Sequence, residues 1–580
     1  MLARRALDLV HDPVGGRPAI CVVPAAGGPE QLVTVGPDPR PGRGGGATRT
    51  PDGSAIVYAA ADGRALRQPF PGGDVVAVGV DGPGLGADRP ATAPAVAADG
   101  WIAFVVGDLA ELWVVSPEGE AMRAFGTGDF VVDPAWAPDG SLRWHEWSVP
   151  AMAWDDSCIG RWSPHTPADP PTFLDTPGRQ AQQPSVDRLG REWSLRDDDG
   201  WLRVWCDERC AADEPFEHAG PTWGPGQRSY AVSPDGTQLA WCRDEQGFGR
   251  LVVAPIDETG VADLARPERS VVASTVNSWS GATVVALRSG ATTPPQLVTY
   301  DALTGERTVL VRAGAIGWDT ARLVEPSLVS WSSGDGAAEV AVPGRRYDPP
   351  DGPTGRTIWW LHGGPTDHWP VSFLPRVAFW VDRGWTVVVP DFRGSTGHGR
   401  DHQQALNGGW GVLDTADVLA GVRSLHARGV SEPARTVVMG SSAGGFTALH
   451  AIAAAPESFA AAVVSYPVGD LELLNQTTHR FEAHYNRVLV GDPVVDADRY
   501  AERSPARVAE RFTRPLLVLH GDADPVVGIE QSRLLVEGIR RGGGDAELVE
   551  YEGEGHGFRQ RANQLDEYAR VVEFLGRHVP

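Results

Sequence analysis

One pentapeptide carries the sharpest chemical signal in this chain: Gly440-Ser441-Ser442-Ala443-Gly444. It follows the apolar run Thr436–Met439, which reads as a strand, and opens the helical stretch Gly444–Ala455. A serine on a sharp strand-to-helix turn, flanked by small residues, is the G-x-S-x-G nucleophile elbow. Ser442 is therefore the candidate nucleophile, with Ser441 turned away from the elbow tip, and the helix N-terminus beneath it favours developing negative charge. A serine hydroxyl needs a base, and the base needs an acid to orient it. Behind such an elbow the acid and then the histidine follow in chain order. Asp522 and Asp524 come directly after the predicted strand Leu516–His520, and His556 sits among glycines after the predicted strand Ala546–Tyr551. The two aspartates are two residues apart, so in an extended turn only one can face His556. A tetrahedral intermediate also needs backbone N–H donors at its oxyanion. Ala443, next to the nucleophile, is one candidate. Gly364 of Leu361-His362-Gly363-Gly364-Pro365 is the other, because its loop follows the predicted strand Thr357–Leu361 and its glycines allow close backbone approach. Among the other histidines of this half, His362, His398, His402, His426, His450, His479, His484 and His520 break the chain order or lie inside elements. Most of them read as structural.

The elements that must hold these residues divide the chain in two. From about residue 351, near-continuous apolar strands (also Trp385–Pro390 and Ala461–Ser465) alternate with amphipathic helices at Asp414–Arg428, Ile529–Arg541 and Gln560–His578. That alternation predicts a doubly wound, mostly parallel sheet covered on both faces, an α/β-hydrolase over 351–580. The first 320 residues have another grammar. Short β-rich runs align at Ile20, Leu66, Leu112, Leu202, Leu251 and Leu297, spaced by 46, 46, 90, 49 and 46 residues, with a degenerate copy near residue 158 inside the long gap. Turn signals such as Thr50-Pro51-Asp52-Gly53, Ala137-Pro138-Asp139-Gly140 and Ser233-Pro234-Asp235-Gly236 punctuate them. A period near 46 with several short strands predicts an N-terminal seven-bladed β-propeller over 1–320. Residues 321–350 are expected to connect the two domains.

Composition removes whole classes of function. The 580 residues carry a net charge of −24, which opposes binding to nucleic acid or to an anionic membrane. No apolar run is long enough for a transmembrane helix, and the N-terminal apolar stretch is too short for a signal peptide, so the expectation is a cytoplasmic protein. All 51 basic residues are arginine, which excludes a lysine nucleophile or Schiff base. The five cysteines, including the Cys206/Cys210 pair, lack zinc spacing and read as free thiols.

The hydrolase half resembles the prolyl oligopeptidase family, in its acylaminoacyl peptidase and dipeptidyl aminopeptidase branch. The matching stretches are His362-Gly363-Gly364-Pro365, Asp391-Phe392-Arg393-Gly394-Ser395-Thr396-Gly397-His398-Gly399, Trp410-Gly411 with Asp414 and Asp417, the elbow, Phe481-Glu482 with Tyr485, His520-Gly521 with Asp524, and Glu554-Gly555-His556-Gly557-Phe558-Arg559. The propeller half resembles the family in architecture and turn signals. The resemblance implies cleavage of short peptides through an acyl-enzyme on Ser442, Asp524 and His556, with Gly364 and Ala443 as oxyanion donors. It also implies a propeller that restricts access, and no metal or organic cofactor. Oligomeric state stays open, a homo-oligomer included. Glu482, in the segment after Ala461–Ser465, has two readings: a salt bridge with Arg480 or Arg487, or a partner for the α-ammonium of a peptide. Rivals to the peptidase are an esterase or amidase using the same triad, and a propeller interaction module with an inactive hydrolase.

Overall fold

The structure is a computed structural model. It describes residues 46–580 except 71, 80, 81, 83, 125–127, 265–270, 273, 274, 314–318, 335, 337 and 338; before 46 it describes 2–4, 19–22, 24, 28, 31, 32, 38 and 39. The chain forms two compact units, Met1–Trp318 and Asp319–Pro580.

The first unit is a β-propeller. Six four-stranded antiparallel sheets span 47–77, 91–123, 130–174, 181–210, 230–272 and 275–312. The periodic apolar positions mark the same place in each: Leu66, Leu112, Leu251 and Leu297 lie in the third strand of their sheets, and Leu202 immediately precedes one. The degenerate copy near residue 158 is the third strand Cys158–Trp162. The expectation of seven blades is corrected to six complete ones. Among the described residues the unit marked by Ile20 forms a three-stranded sheet, Leu2–Arg4, Ala19–Val22 and Gln31–Leu32, and its remaining turns lie outside them. Successive sheets share cores: Val57 and Ala65 pack with Phe104 and Val106, and Trp193 and Val204 pack with Trp241 and Val252. The Pro-Asp-Gly turns close as their residue types require. Asp52 Oδ1 accepts the Ser54 N–H at 2.9 Å, and Gly53 takes a φ of 74°.

The second unit holds an eight-stranded sheet: β1 (Ser327–Ser333), β2 (Val340–Tyr347), β3 (Thr357–Leu361), β4 (Thr386–Pro390), β5 (Thr436–Ser441), β6 (Ala461–Ser465), β7 (Leu516–Gly521) and β8 (Ala546–Tyr551). Their order is β1-β2-β4-β3-β5-β6-β7-β8, parallel from β4 onward and antiparallel at β1 and β2. The segment 321–350 is thus no connector but mainly the first hairpin of this sheet. Its strands mix exposed, half-buried and buried positions and carry serine, proline and arginine, so they lack the continuous apolar run of β3 to β7. Trp331 and Val342 enter the core, and the Trp331 indole N–H donates to the Asp417 carbonyl at 2.8 Å.

Helices Leu413–Ala427, Ala443–Ala454, Glu530–Arg541 and Arg561–His578 contribute to the layers around the sheet. Val418, Val422, Ala448, Leu449, Ile452, Leu535 and Ile539 from the first three pack on Trp359, Val438, Val464 and Val518. Two buried polar networks fix this scaffold. Arg345 on β2 makes a bidentate pair with Asp391, both bonds 2.6 Å, and His398 Nε2 adds a third contact to Asp391 at 2.8 Å. Asp414, fully buried, accepts the Gly411 N–H at 2.7 Å and the Thr447 hydroxyl at 2.6 Å, which ties its helix to the one behind Ser442.

Candidate active site

Ser442 stands between β5 and the helix Ala443–Ala454 with φ 56° and ψ −126°, a left-handed conformation that a non-glycine residue rarely keeps without surrounding constraint. The constraint is visible. A Cβ on Gly440 would sit 2.1 Å from the Gly444 carbonyl oxygen, and a Cβ on Gly444 would sit 2.4 Å from the Leu361 and His362 carbonyl oxygens. Both glycines of G-x-S-x-G are therefore required by sterics. The Ser442 N–H donates to the Ser465 carbonyl at 3.0 Å, pinning the elbow to β6.

The question left between the two aspartates is answered by direction. Asp524 Oδ2 lies 2.7 Å from His556 Nδ1, while Asp524 Oδ1 accepts the N–H groups of Val526 at 2.8 Å and Val527 at 3.0 Å. Asp522 turns away and accepts the Gly553 N–H at 2.7 Å. Burial alone would raise the Asp524 pKa. The neighbouring His520 and His556, with the Val527 N–H, more than offset that and hold the carboxyl well below the usual range.

The His556 loop has supports that motif reading did not single out. Glu554 is 1% exposed and accepts the N–H groups of Arg559 and Gln560, both at 2.8 Å, and the Asn563 amide at 2.9 Å. Tyr466, at φ 39° after β6, places its ring 4.6 Å from the imidazole of His556. Glu554 could have been noticed from its place beside His556; nothing local marks Tyr466. His520 and His362 are structural here. The first bonds Ser532 Oγ at 2.6 Å and the Val527 carbonyl at 2.8 Å. His362 bonds Ser395 Oγ at 2.7 Å and stacks on Phe392, and burial pulls its pKa down to about 4.

Gly364, Pro365, Ser442, Ala443, Glu482 and Tyr485 line one cavity, whose walls include Trp410, Val468, Leu474 and Val527. The elbow and the 362–365 loop are in contact: a Cβ on Gly363 would lie 3.6 Å from Ser442 Cβ. The sequence had Glu482 pairing with Arg480 or Arg487 if structural. The observed partner is His479, with Nε2 3.2 Å from Glu482 Oε1, while Arg487 pairs with Asp492 at 2.7 Å.

Residues 371–580 match the sequence profile of the prolyl oligopeptidase family. That stretch of the second unit carries the family's sequence pattern. The chain is 31% identical over 223 residues to dipeptidyl peptidase family member 6 of Caenorhabditis elegans, covering 37% of this chain and 30% of that protein. It is 29% identical over 251 residues to dipeptidyl aminopeptidase BIII of Pseudoxanthomonas mexicana, covering 42% of this chain and 34% of the relative. These alignments span about a third of the curated relatives' length. Both units are similar to a puromycin-hydrolyzing peptidase of Mycobacterium tuberculosis, with a TM-score of 0.86 and 26% identity over 97% of this chain and 91% of that one. Among the described residues no helix is long and apolar enough to cross a membrane.

Proposed function

We propose that this prolyl oligopeptidase family chain is a serine peptidase that removes residues from the free N-terminus of short peptides. The observation that carries the reading is a carboxylate, Glu482, lining the same cavity as Ser442, Ala443, Gly364 and Val527, whose N–H is held by Asp524 Oδ1. Ser442 Oγ attacks the scissile carbonyl carbon as His556 Nε2 takes its proton. The charged imidazole donates through Nδ1–H to Asp524, and the oxyanion accepts from the Ala443 and Gly364 N–H groups. Collapse of the intermediate passes the proton from His556 to the leaving amine, and water releases the acyl group by the same steps. Glu482 holds the substrate ammonium, and the apolar walls of Val468, Leu474 and Val527 take a side chain next to the cleaved bond. The names of the relatives, an aminopeptidase and two other peptidases, agree with this chemistry. The propeller is assigned the role of limiting substrates to short peptides.

Two measurements test the reading. A fluorophosphonate probe should label Ser442, and aminoacyl anilides with a free amine should be cut faster than their N-acetylated forms. Equal rates on both would leave Glu482 a structural partner of His479 and favour an acyl-releasing or internal cleavage. Turnover of small esters without any peptide or anilide cleavage would favour the esterase.

The three-stranded sheet is proposed to be a seventh, partial unit of the propeller, because Ile20 packs with Ile56, Tyr58, Ala60 and Leu66 of the next sheet. An experimental structure with that sheet detached would remove the assignment.

A further inference from the structure

We propose that Tyr485 is a positioning residue for the oxyanion loop, clamping the backbone after Gly364 and joining it to the turn that carries Glu482. The inference rests on the reading of Gly364 as an oxyanion donor. Tyr485 is 4% exposed, and its hydroxyl engages Thr366 twice, accepting the backbone N–H at 3.2 Å and donating to Oγ1 at 2.5 Å. Thr366 is itself 4% exposed, so these bonds form away from competing water. Gly364, at φ 119°, folds the loop back on itself: a Cβ there would lie 2.8 Å from the Thr366 nitrogen. The position of Thr366 therefore constrains the direction of the peptide at Gly364.

The opposite end of the clamp matters equally. The Tyr485 N–H donates to the Glu482 carbonyl at 3.0 Å, so the hydroxyl and the amine-binding carboxylate belong to one turn. Both residues line the cavity that holds Ser442. A peptide whose ammonium seats on Glu482 thus bears on the same rigid piece that sets the oxyanion donor. An oxyanion donor works only within about 2.7–3.1 Å of where the charge develops, and a misplacement of about 1 Å can cost on the order of 10²-fold in rate.

Replacing Tyr485 with Phe keeps the ring in the cavity wall and removes only the hydroxyl. The expected result on a free-amine aminoacyl anilide is a kcat lower by roughly 10- to 100-fold, with KM within about 2-fold. Affinity for a peptide aldehyde, whose Ser442 adduct bears the oxyanion, should fall by the same factor. Affinity for an uncleaved amino-acid amide should not change. Thr366→Ser, which retains both partners of the clamp, should behave as the parent, whereas Thr366→Val should reproduce the kcat loss. An unchanged kcat in Tyr485→Phe, or a rise in KM alone, would overturn the proposal and leave Tyr485 as cavity wall. Fluorophosphonate labelling of the parent enzyme separates the levels. If Ser442 is not labelled, the catalytic reading fails and takes the clamp with it. If Ser442 is labelled but the aldehyde binds parent and Tyr485→Phe equally well, only the clamp fails.

Discussion

Asp524→Asn is the change whose outcome the geometry dictates most closely. Asp524 Oδ1 accepts two backbone N–H groups, from Val526 and Val527, and Oδ2 faces His556 Nδ1. An asparagine can keep the first pair only by leaving its oxygen at Oδ1, which points its NH₂ at the imidazole. His556 must then accept at Nδ1 and carry its proton on Nε2, where it cannot take the proton of Ser442. The flipped amide restores the imidazole tautomer but sets the NH₂ against two N–H donors, leaving them unsatisfied at about 1–3 kcal/mol each. Neither orientation supports the general base. The expected loss in kcat is about 10⁴-fold, or roughly 5 kcal/mol of transition-state stabilisation. KM should change little, because Asp524 is not among the residues lining the cavity beside Ser442. The assay is steady-state hydrolysis of an aminoacyl anilide, with the rate of fluorophosphonate labelling at Ser442 as a second readout. Asp522→Asn, which keeps an acceptor for the Gly553 N–H, is the control and should lose less than about 10-fold. A loss below about 10-fold in Asp524→Asn, or a larger one in Asp522→Asn, would refute the assignment of the acid.

Glu482→Gln should abolish the preference for free-amine over N-acetylated anilides, a broken charge pair in a cleft costing about 2–5 kcal/mol; an undiminished preference would place amine recognition elsewhere. Asp414 has its pKa raised to about 6 by burial, against the hydrogen bonds it accepts from Thr447 and Gly411. Its folded pKa exceeds its unfolded one, so its contribution to stability falls as pH rises from about 4 to about 6, by about 3 kcal/mol, and is flat above. Chemical denaturation of Asp414→Asn at pH 4.5 and pH 8 should show the variant gaining on the parent at the higher pH, and parallel changes would contradict this. Arg345→Met leaves Asp391 buried with, among the described residues, His398 as its remaining ionic partner and should cost about 3–5 kcal/mol in denaturant titrations; a loss below about 1 kcal/mol would show that the pair is dispensable. Short peptides should be cut while intact folded proteins are not, as gel analysis of a mixed digest would reveal.

Much of this molecule is written in local signals. The elbow is legible because sterics forbid a side chain at Gly440 and Gly444, and that requirement is printed in the chain as glycine. Strands β3 to β7 are legible because each is covered on both faces, so no polar residue interrupts its apolar run. The propeller period is legible because one strand of every sheet repeats the same buried leucine or its equivalent. What local patterns could not carry depends on contacts between distant residues. The hairpin β1–β2 reads as a connector because its apolar residues are broken up by Ser327, Ser330, Ser332 and Ser333 in one strand and by Pro343, Gly344, Arg345 and Arg346 in the other. Two aspartates two residues apart are equivalent to local pattern; the family resemblance points to Asp524, and packing turns Asp524 toward His556 and Asp522 toward Gly553. Tyr466 against His556, and Tyr485 against Thr366 across 119 positions, have no sequence spacing to betray them. The residue types name the chemistry through sterics and periodicity acting along the chain, whereas direction, partner and pocket arise from packing across it.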